Sequence, residues 1–481
     1  MALTDSTDRD DQPDAPLAVE AHSIDFIPES ERHGRPRDLF AVWVAPNVNY
    51  LNLLIGGLLV AVFGLTLWQA VGAIVVGSLF TLLTGVVASS GPAAGAPSEV
   101  IMRALFGVRA NRVAVLLNGW FISVCYLAIN WATVAVVTFE LAHRAGLATD
   151  DWVKVVLILA VSAVTLVISV YGHGLILRLY QPLAWTLLVV FVVASAYVVG
   201  HADWGYRPAE PLHGVVLWAS LAAAVATLAS APLSYNNSAD FARYLPTRTS
   251  PVAVAWWTVV GSVLPNAIFT LVGALAATAL DMTDPVAALD GILPGWFGPI
   301  FMLAVILGTI ANNAMTAYSS GLSLQVVGIR WPRARTVLLD GTVGTLMTLY
   351  AVLISDFLST VQNALQLAVV VLGPVMSVYA ADVVWRRNRY DGPGLCDTSA
   401  TSPYWYSGGV NLVGVACALV GVAVSVMGAA VVFETGGSFT GWIAGGLGGI
   451  DVSVWIGCLL PGLAYLVLMP RYAAARRSVV R

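Results

Sequence analysis

The stretch WVAPNVNYLN, residues 43–52, decides the fold: it sets one proline and three asparagines inside a run that is otherwise apolar from 39 to 65. A segment of that length spans a hydrocarbon core of roughly 30 Å. At such depth, polar and proline-bearing backbone is tolerated only where it lines a cavity or is covered by protein. The rest of the chain agrees with a membrane setting. Of 481 residues, 58% are hydrophobic and 10% charged, whereas an ordinary soluble domain carries roughly 25% charged residues. Mean hydropathy is +0.81. These values exclude a soluble multi-domain enzyme, a disordered chain and a nucleic-acid binder. Continuously apolar segments, rather than alternating ones, exclude a barrel and leave an all-α polytopic membrane protein.

Apolar runs at 39–65, 67–89, 112–140, 152–171, 176–200, 213–243, 252–280, 297–325, 335–355, 358–385, 407–433 and 451–470 predict about twelve transmembrane helices. The sixth contains a second polar interruption, SAPLSYNNSAD (230–240). Interrupted helices in corresponding positions of two halves point to a transporter's binding site. Helices 1 and 6 would each open a group of five with opposite topology, which predicts a five-plus-five inverted repeat with two helices appended. The expected organisation is a disordered cytoplasmic tail over 1–37, a first repeat over 38–200 and a second over 201–392. Helices 11 and 12 follow over 393–472, with a C-terminal tail over 473–481.

Charge predicts the orientation. With the N-terminus inside, twenty of the 23 cations fall in cytoplasmic segments and only Arg144, Lys154 and Arg207 fall outside. That asymmetry is a strong positive-inside signal and places both termini in the cytoplasm of a cell-membrane protein. The four cysteines, at 125, 396, 417 and 458, form no CxxC pair, so neither a disulfide framework nor a zinc site is expected.

Four further stretches resemble the nucleobase–cation symporter-1 family, which contains purine–cytosine permeases and hydantoin, allantoin and thiamine transporters. They are GAPSEVIMRALFG (95–107), ADFARYLPTRTSP (239–251), GTIANNAMTAYSSGLSLQ (308–325) and GPVMSVYAADVVWRRNRYDG (373–392). The second is the most specific, and the resemblance extends over roughly residues 37–475. It implies a leucine-transporter-type fold, with substrate and ion held near the midplane between a bundle and a scaffold.

The resemblance also assigns candidate site residues. The carbonyls of Ala45 and Val48, freed by the break in helix 1, would ligate a cation together with Ala311 and Asn312 of helix 8. The Asn49 amide would face substrate, since an amide sets a donor beside an acceptor and so matches a heterocycle edge; capping its own broken helix is the competing role. On helix 3, Tyr126 would stack on the ring and Asn130 would bond it; four apart, they share one face. In helix 6 the family's tryptophan is replaced by Ala231 or Ser234, with Tyr235 adjacent. Asn313 and Thr316 of helix 8 would face the substrate, and Gln366 of helix 10 would close over it.

Sodium-coupled relatives place two neighbouring hydroxyls on helix 8, but the matching positions here are Ile310, Ala311 and Asn312. That difference favours proton over sodium coupling. Glu140, Asp340 and Asp382 are the intramembrane candidates for a proton, with Asp382 and Arg386 expected to snorkel as a pair. The expected activity is therefore import of a nucleobase or related nitrogen heterocycle by cation symport; an allantoin-, hydantoin- or thiamine-like substrate is the alternative. No catalytic cluster suggests an enzyme and no continuous polar face suggests a channel. The expected partners are the substrate, H+ or Na+ and the bilayer, with no cofactor and no nucleic acid. A monomer is the expected functional unit.

Overall fold

A computed structural model describes the backbone of residues 23–148, 150–282, 285–353, 357–432 and 437–479. The helices are α1a (Asp38–Asn47) and α1b (Tyr50–Ala61), α2 (Leu67–Ala94), α3 (Val108–Arg144), α4 (Asp151–Tyr171) and α5 (His173–His201). They continue with α6 (Gly214–Phe241), α7 (Pro251–Ala276), α8 (Gly298–Val327), α9 (Arg333–Leu353), α10 (Phe357–Trp385), α11 (Leu412–Gly428) and α12 (Ser453–Val479). Among the described residues, ten helices and the bent α1 pair are long and apolar enough to cross a membrane. The span expected at 407–433 is instead a 17-residue helix. Asn411 caps its start, and a small antiparallel hairpin, β1 (Ala430–Val432) with β2 (Ser438–Thr440), takes over just beyond its end.

Helix α1 bends by 56° at its break. Pro46 supplies no backbone N–H, so the local hydrogen-bond ladder cannot continue unaided. The asparagines repair it. Asn47 donates to the Trp43 carbonyl at 2.8 Å, Asn52 donates to the Asn47 carbonyl at 2.7 Å, and Asn49 accepts from the Asn52 N–H at 3.0 Å as the N-cap of α1b. Helix α6 does not bend in this way; it tightens into a 3-10 turn over Tyr235–Phe241. Thr84 of α2 secures that change of helix type, donating to the Pro232 carbonyl while its own carbonyl accepts from Ser238, each at 2.9 Å.

Two apolar cores hold the bundle. One gathers α2, α6, α10 and α12 around residues such as Leu228, Tyr379 and Tyr465; the other gathers α1a, α5, α7 and α8 around Trp43, Phe191, Phe269 and Tyr318. The α1b–α7 crossing is closer than any side chain permits. A Cβ on Gly56 would lie 1.9 Å from the Thr270 carbonyl oxygen, and one on Gly273 would lie 1.9 Å from that of Leu53. Small residues let backbones approach in this way inside membranes. Gly56→Val or Gly273→Val is expected to cost about 1–3 kcal/mol or more through overpacking. Thermal unfolding in detergent should show both falling, while Gly72→Ala, which meets no atom within 4 Å, stays at the wild-type midpoint.

The N-terminal segment differs from the expected tail. Ile27 is fully buried and its N–H donates to the Gly95 carbonyl at 2.9 Å; Arg32 donates to the carbonyls of Ile27 and Pro92 and to Thr247. Residues 23–37 thus lie against the membrane domain, because an arginine fork that finds three acceptors is worth more docked than dissolved. At the other end α12 runs to Val479, through most of the segment expected as a C-terminal tail.

Candidate functional site

Where α1 breaks and α6 tightens, a cavity of about 700 Å³, counting its open mouth, lies between α1, α3, α6 and α8. Its wall combines aromatic and amide groups. Trp43, Tyr126, Tyr235 and Phe241 contribute rings; Asn49, Asn52, Asn118, Asn130, Asn237 and Asn312 contribute amides; Ser123, Ser234 and Thr316 contribute hydroxyls. Trp43 meets Tyr235 edge to face at a centroid distance of 4.9 Å and Phe241 at 5.9 Å. A cleft lined by apolar surface with a few convergent polar groups is the usual form of a small-molecule site.

Most expected substrate residues meet here. Asn49, Tyr126, Asn130, Ser234, Tyr235 and Thr316 all line the cavity. The Asn130 side chain lines the cavity with no hydrogen bond to another side chain or carbonyl of the described residues, and the Tyr126 hydroxyl likewise has no partner among them. Asn49 caps its own broken helix and also lines the cavity. Its Nδ2 donates to the Pro46 carbonyl at 2.6 Å and its Oδ1 caps α1b, which uses one donor and one acceptor and leaves one of each for the cavity. Tyr235 donates to Asn47 Oδ1 at 3.3 Å, tying α6 to the break in α1.

Asn313 is the exception: it is buried outside the cavity wall, its Nδ2 donating to the Leu127 carbonyl at 3.0 Å. One residue along a helix turns a side chain by about 100°, so Asn312 takes the cavity and Asn313 the α3 contact. The Gln366 side chain lies outside the described residues. Of the four cation candidates, Val48 brings its carbonyl against α8, where a Cβ on Gly308 would lie 2.4 Å from it. Ala45 is buried in the same break, but the Ala311 carbonyl accepts the Tyr180 hydroxyl. The Asn312 side chain lines the cavity while its carbonyl accepts from Thr316 at 3.1 Å.

Sequence reasoning missed Trp43, Asn52, Asn118, Ser123, Asn237 and Phe241. A signal was present for one of them: Asn118, Ile122, Tyr126 and Asn130 are spaced by four and all reach the cavity. Asn118 sits in a π-helical stretch, Val115–Phe121, at the start of α3, and both its polar atoms are buried without a partner among the described residues.

The sequence matches the family of permeases for cytosine/purines, uracil, thiamine and allantoin over residues 26–457. The chain belongs to this permease family. It is 26% identical over 473 residues to the putative purine-cytosine permease YxlA of Bacillus subtilis (strain 168), covering 94% of this chain and 96% of that protein. It is 24% identical over 339 residues to the purine-cytosine permease fcyB of Emericella nidulans, covering 65% and 63%. Among solved structures, Mhp1, a nucleobase-cation-symport-1 family transporter in a closed conformation with bromovinylhydantoin bound, matches with a TM-score of 0.77. That match is 20% identical and covers 95% of this chain and 97% of Mhp1. The inward-facing conformation of Mhp1 matches at 0.70 and 19% identity. These likenesses establish the five-plus-five fold with two further helices, and this permease is a membrane transporter rather than an enzyme.

Several buried charges of the permease serve its framework rather than its cavity. Asp382 and Arg386 do pair, at 2.9 Å, but they do not snorkel: Asp382 is wholly buried and also accepts from Tyr390 at 2.9 Å and Tyr465 at 2.7 Å. Arg386 reaches Tyr406 at 2.8 Å and lies over the Trp385 ring. The tyrosine hydroxyls replace the water that snorkelling would seek. Glu140 pairs with Arg144 at a partly exposed helix end. Asp240 accepts from the Ser98 N–H at 2.7 Å and from Ser319 at 2.6 Å, clamping α6 to α8 and to the turn after α2. In that turn, burial, reinforced by the Asp240 carboxylate, pushes Glu99 well above the usual carboxylate range.

Proposed function

We propose that this permease is a secondary symporter that imports a nucleobase or a closely related nitrogen heterocycle across the cell membrane by alternating access, with both termini cytoplasmic. The observation that carries the proposal is the Tyr126–Asn130 face of α3, which turns an aromatic ring and an unengaged amide into one cavity. A flat heterocycle presents a π-face to the ring and a donor–acceptor edge to the amide. Asn49, Ser234, Tyr235 and Thr316 complete the wall, and Asn313 supports it from behind. The two halves, 38–200 and 201–392, are the inverted repeats that would rock against each other, and one copy of the chain holds a complete site. The likeness to purine-cytosine permeases favours the cytosine and purine class; an allantoin-, hydantoin- or thiamine-like substrate fits the same wall chemistry.

The coupling ion is proposed to be the proton. A sodium site built from Ala45, Val48, Ala311 and Asn312 would need oxygen ligands from α8. There Ile310 and Ala311 carry no side-chain oxygen, so the two neighbouring hydroxyls that sodium-coupled relatives place on this helix are missing. Uptake into proteoliposomes is therefore expected to follow an imposed pH gradient and to be indifferent to sodium. Accumulation driven by sodium at symmetric pH would refute this and would point to Asn312 or Thr309 as the missing oxygen ligand.

Stacking is tested at Tyr126. Stacking on an aromatic ring is worth roughly 1–3 kcal/mol per base. Tyr126→Leu should accordingly weaken substrate affinity about ten- to a hundredfold, and Tyr126→Phe much less, as read by competition binding. If Phe proves as damaging as Leu, the hydroxyl and not the ring makes the contact.

A further inference from the structure

Beyond the first turns of helices, four carboxylates lie within membrane-spanning helices of the described chain: Glu140, Asp240, Asp340 and Asp382. Three have an arginine beside them. Arg144 pairs with Glu140, Arg386 pairs with Asp382, and the buried Arg243 lies one turn from Asp240. Asp340, on α9, has none. It is wholly buried; its Oδ1 accepts from Trp120 Nε1 of α3 at 2.5 Å, and its Oδ2 has no hydrogen-bond partner among the described residues.

Among the described residues, the surroundings of Asp340 hold no compensating charge. Beside the Trp120 indole, the polar neighbour is the Ser320 hydroxyl of α8. From α4, Leu166 packs against the adjacent Gly341. Of the charged and titratable groups on these elements, Arg333 at the start of α9 donates to the Ser169 and Val170 carbonyls and lies over the Tyr318 ring. Tyr318 itself accepts from Arg243 at 2.9 Å. A lone carboxylate in such a place is costly when charged and marks a proton relay by default.

A second observation ties Asp340 to the cavity. Trp120 lies in the π-helical stretch Val115–Phe121, two residues after the cavity-lining and unpartnered Asn118. Residues two apart on a helix point to different faces. One short segment therefore holds the carboxyl on one side and enters the binding cavity on the other, and π turns concentrate at functional sites.

We propose that Asp340 carries the co-transported proton, and that its charge state reaches the substrate through Trp120 and the π turn bearing Asn118. The proposal rests on the proton-coupled reading above and gives it a residue. Loading is acceptance of a proton from the side of high proton activity; release returns it to the other side. When Asp340 is charged, its bond with the indole is charge-assisted and strong. When it is neutral, the bond weakens and the π turn is free to move.

The test is Asp340→Asn in proteoliposomes, with radiolabelled cytosine, uracil, allantoin and thiamine as probes and the wild type alongside. The expected result is counterflow exchange retained and accumulation under a pH gradient lost. A variant that still accumulates under the pH gradient overturns the role of Asp340 while leaving proton coupling intact. A wild type driven by sodium alone overturns both, and the wild-type arm distinguishes the two failures. Infrared difference spectra of purified protein across a pH titration supply a readout free of substrate. A protonated-carboxyl band should disappear in Asp340→Asn, and its midpoint should move to higher pH in Trp120→Phe, which loses the donor that favours the charged form. A midpoint unchanged in Trp120→Phe overturns the proposal even if Asp340→Asn fails to fold.

Discussion

Asn130→Ala is expected to abolish measurable uptake at micromolar substrate while leaving the amount of protein in the membrane unchanged. Asn130 lines the cavity from the middle of α3, and its side chain makes no hydrogen bond with any described residue. Its amide therefore does nothing for the fold that alanine would undo, and its removal leaves a buried polar group of the substrate without a partner. Such a loss costs about 1–3 kcal/mol, or roughly ten- to a hundredfold in affinity. Asn130→Asp tests the donor separately, because a carboxylate keeps the acceptor and loses the N–H. Binding by Asn130→Ala with wild-type affinity, measured calorimetrically on purified protein, would remove Asn130 from the site.

The largest effect on stability is expected at Arg386. Arg386→Met keeps much of the side chain's length and removes the charge that faces the wholly buried Asp382. Breaking a buried pair from one side leaves an uncompensated charge and typically costs about 3–5 kcal/mol. Tyr390 and Tyr465 still donate to the carboxylate, which places the expected loss toward the lower end. Thermal unfolding in detergent should show a large fall in midpoint for Arg386→Met. The double variant with Asp382→Asn should regain part of it. A single variant as stable as wild type would mean that the tyrosines alone satisfy Asp382.

Much of this architecture was legible in the chain because the solvent imposes it. Each hydrophobic segment must be long enough to cross the bilayer and must satisfy its own backbone, so apolar runs locate helices within a few residues. The breaks at 43–52 and 230–240 were legible for the same reason, since a proline with clustered amides has no other place in hydrocarbon. The kind of break was not. Helix α1 bends because Asn49 caps a new helix start, whereas α6 tightens because Thr84, far away in the chain, holds Pro232 and Ser238.

By itself, then, the sequence determined the membrane class, the succession of helices and the faces of α3 and α8 that carry polar groups. These follow from composition and from spacing along one helix, which no neighbour can change. Only the tertiary structure decided which polar groups meet. It turned Asn312 into the cavity and Asn313 into α3, buried Asp382 among tyrosines, and left Asp340 with an indole in place of a cation. The physical reason is angular: each residue rotates a helix face by about 100°, and a single π turn shifts that phase for everything beyond it. Which face looks inward is therefore settled by packing between helices, and no local pattern records it.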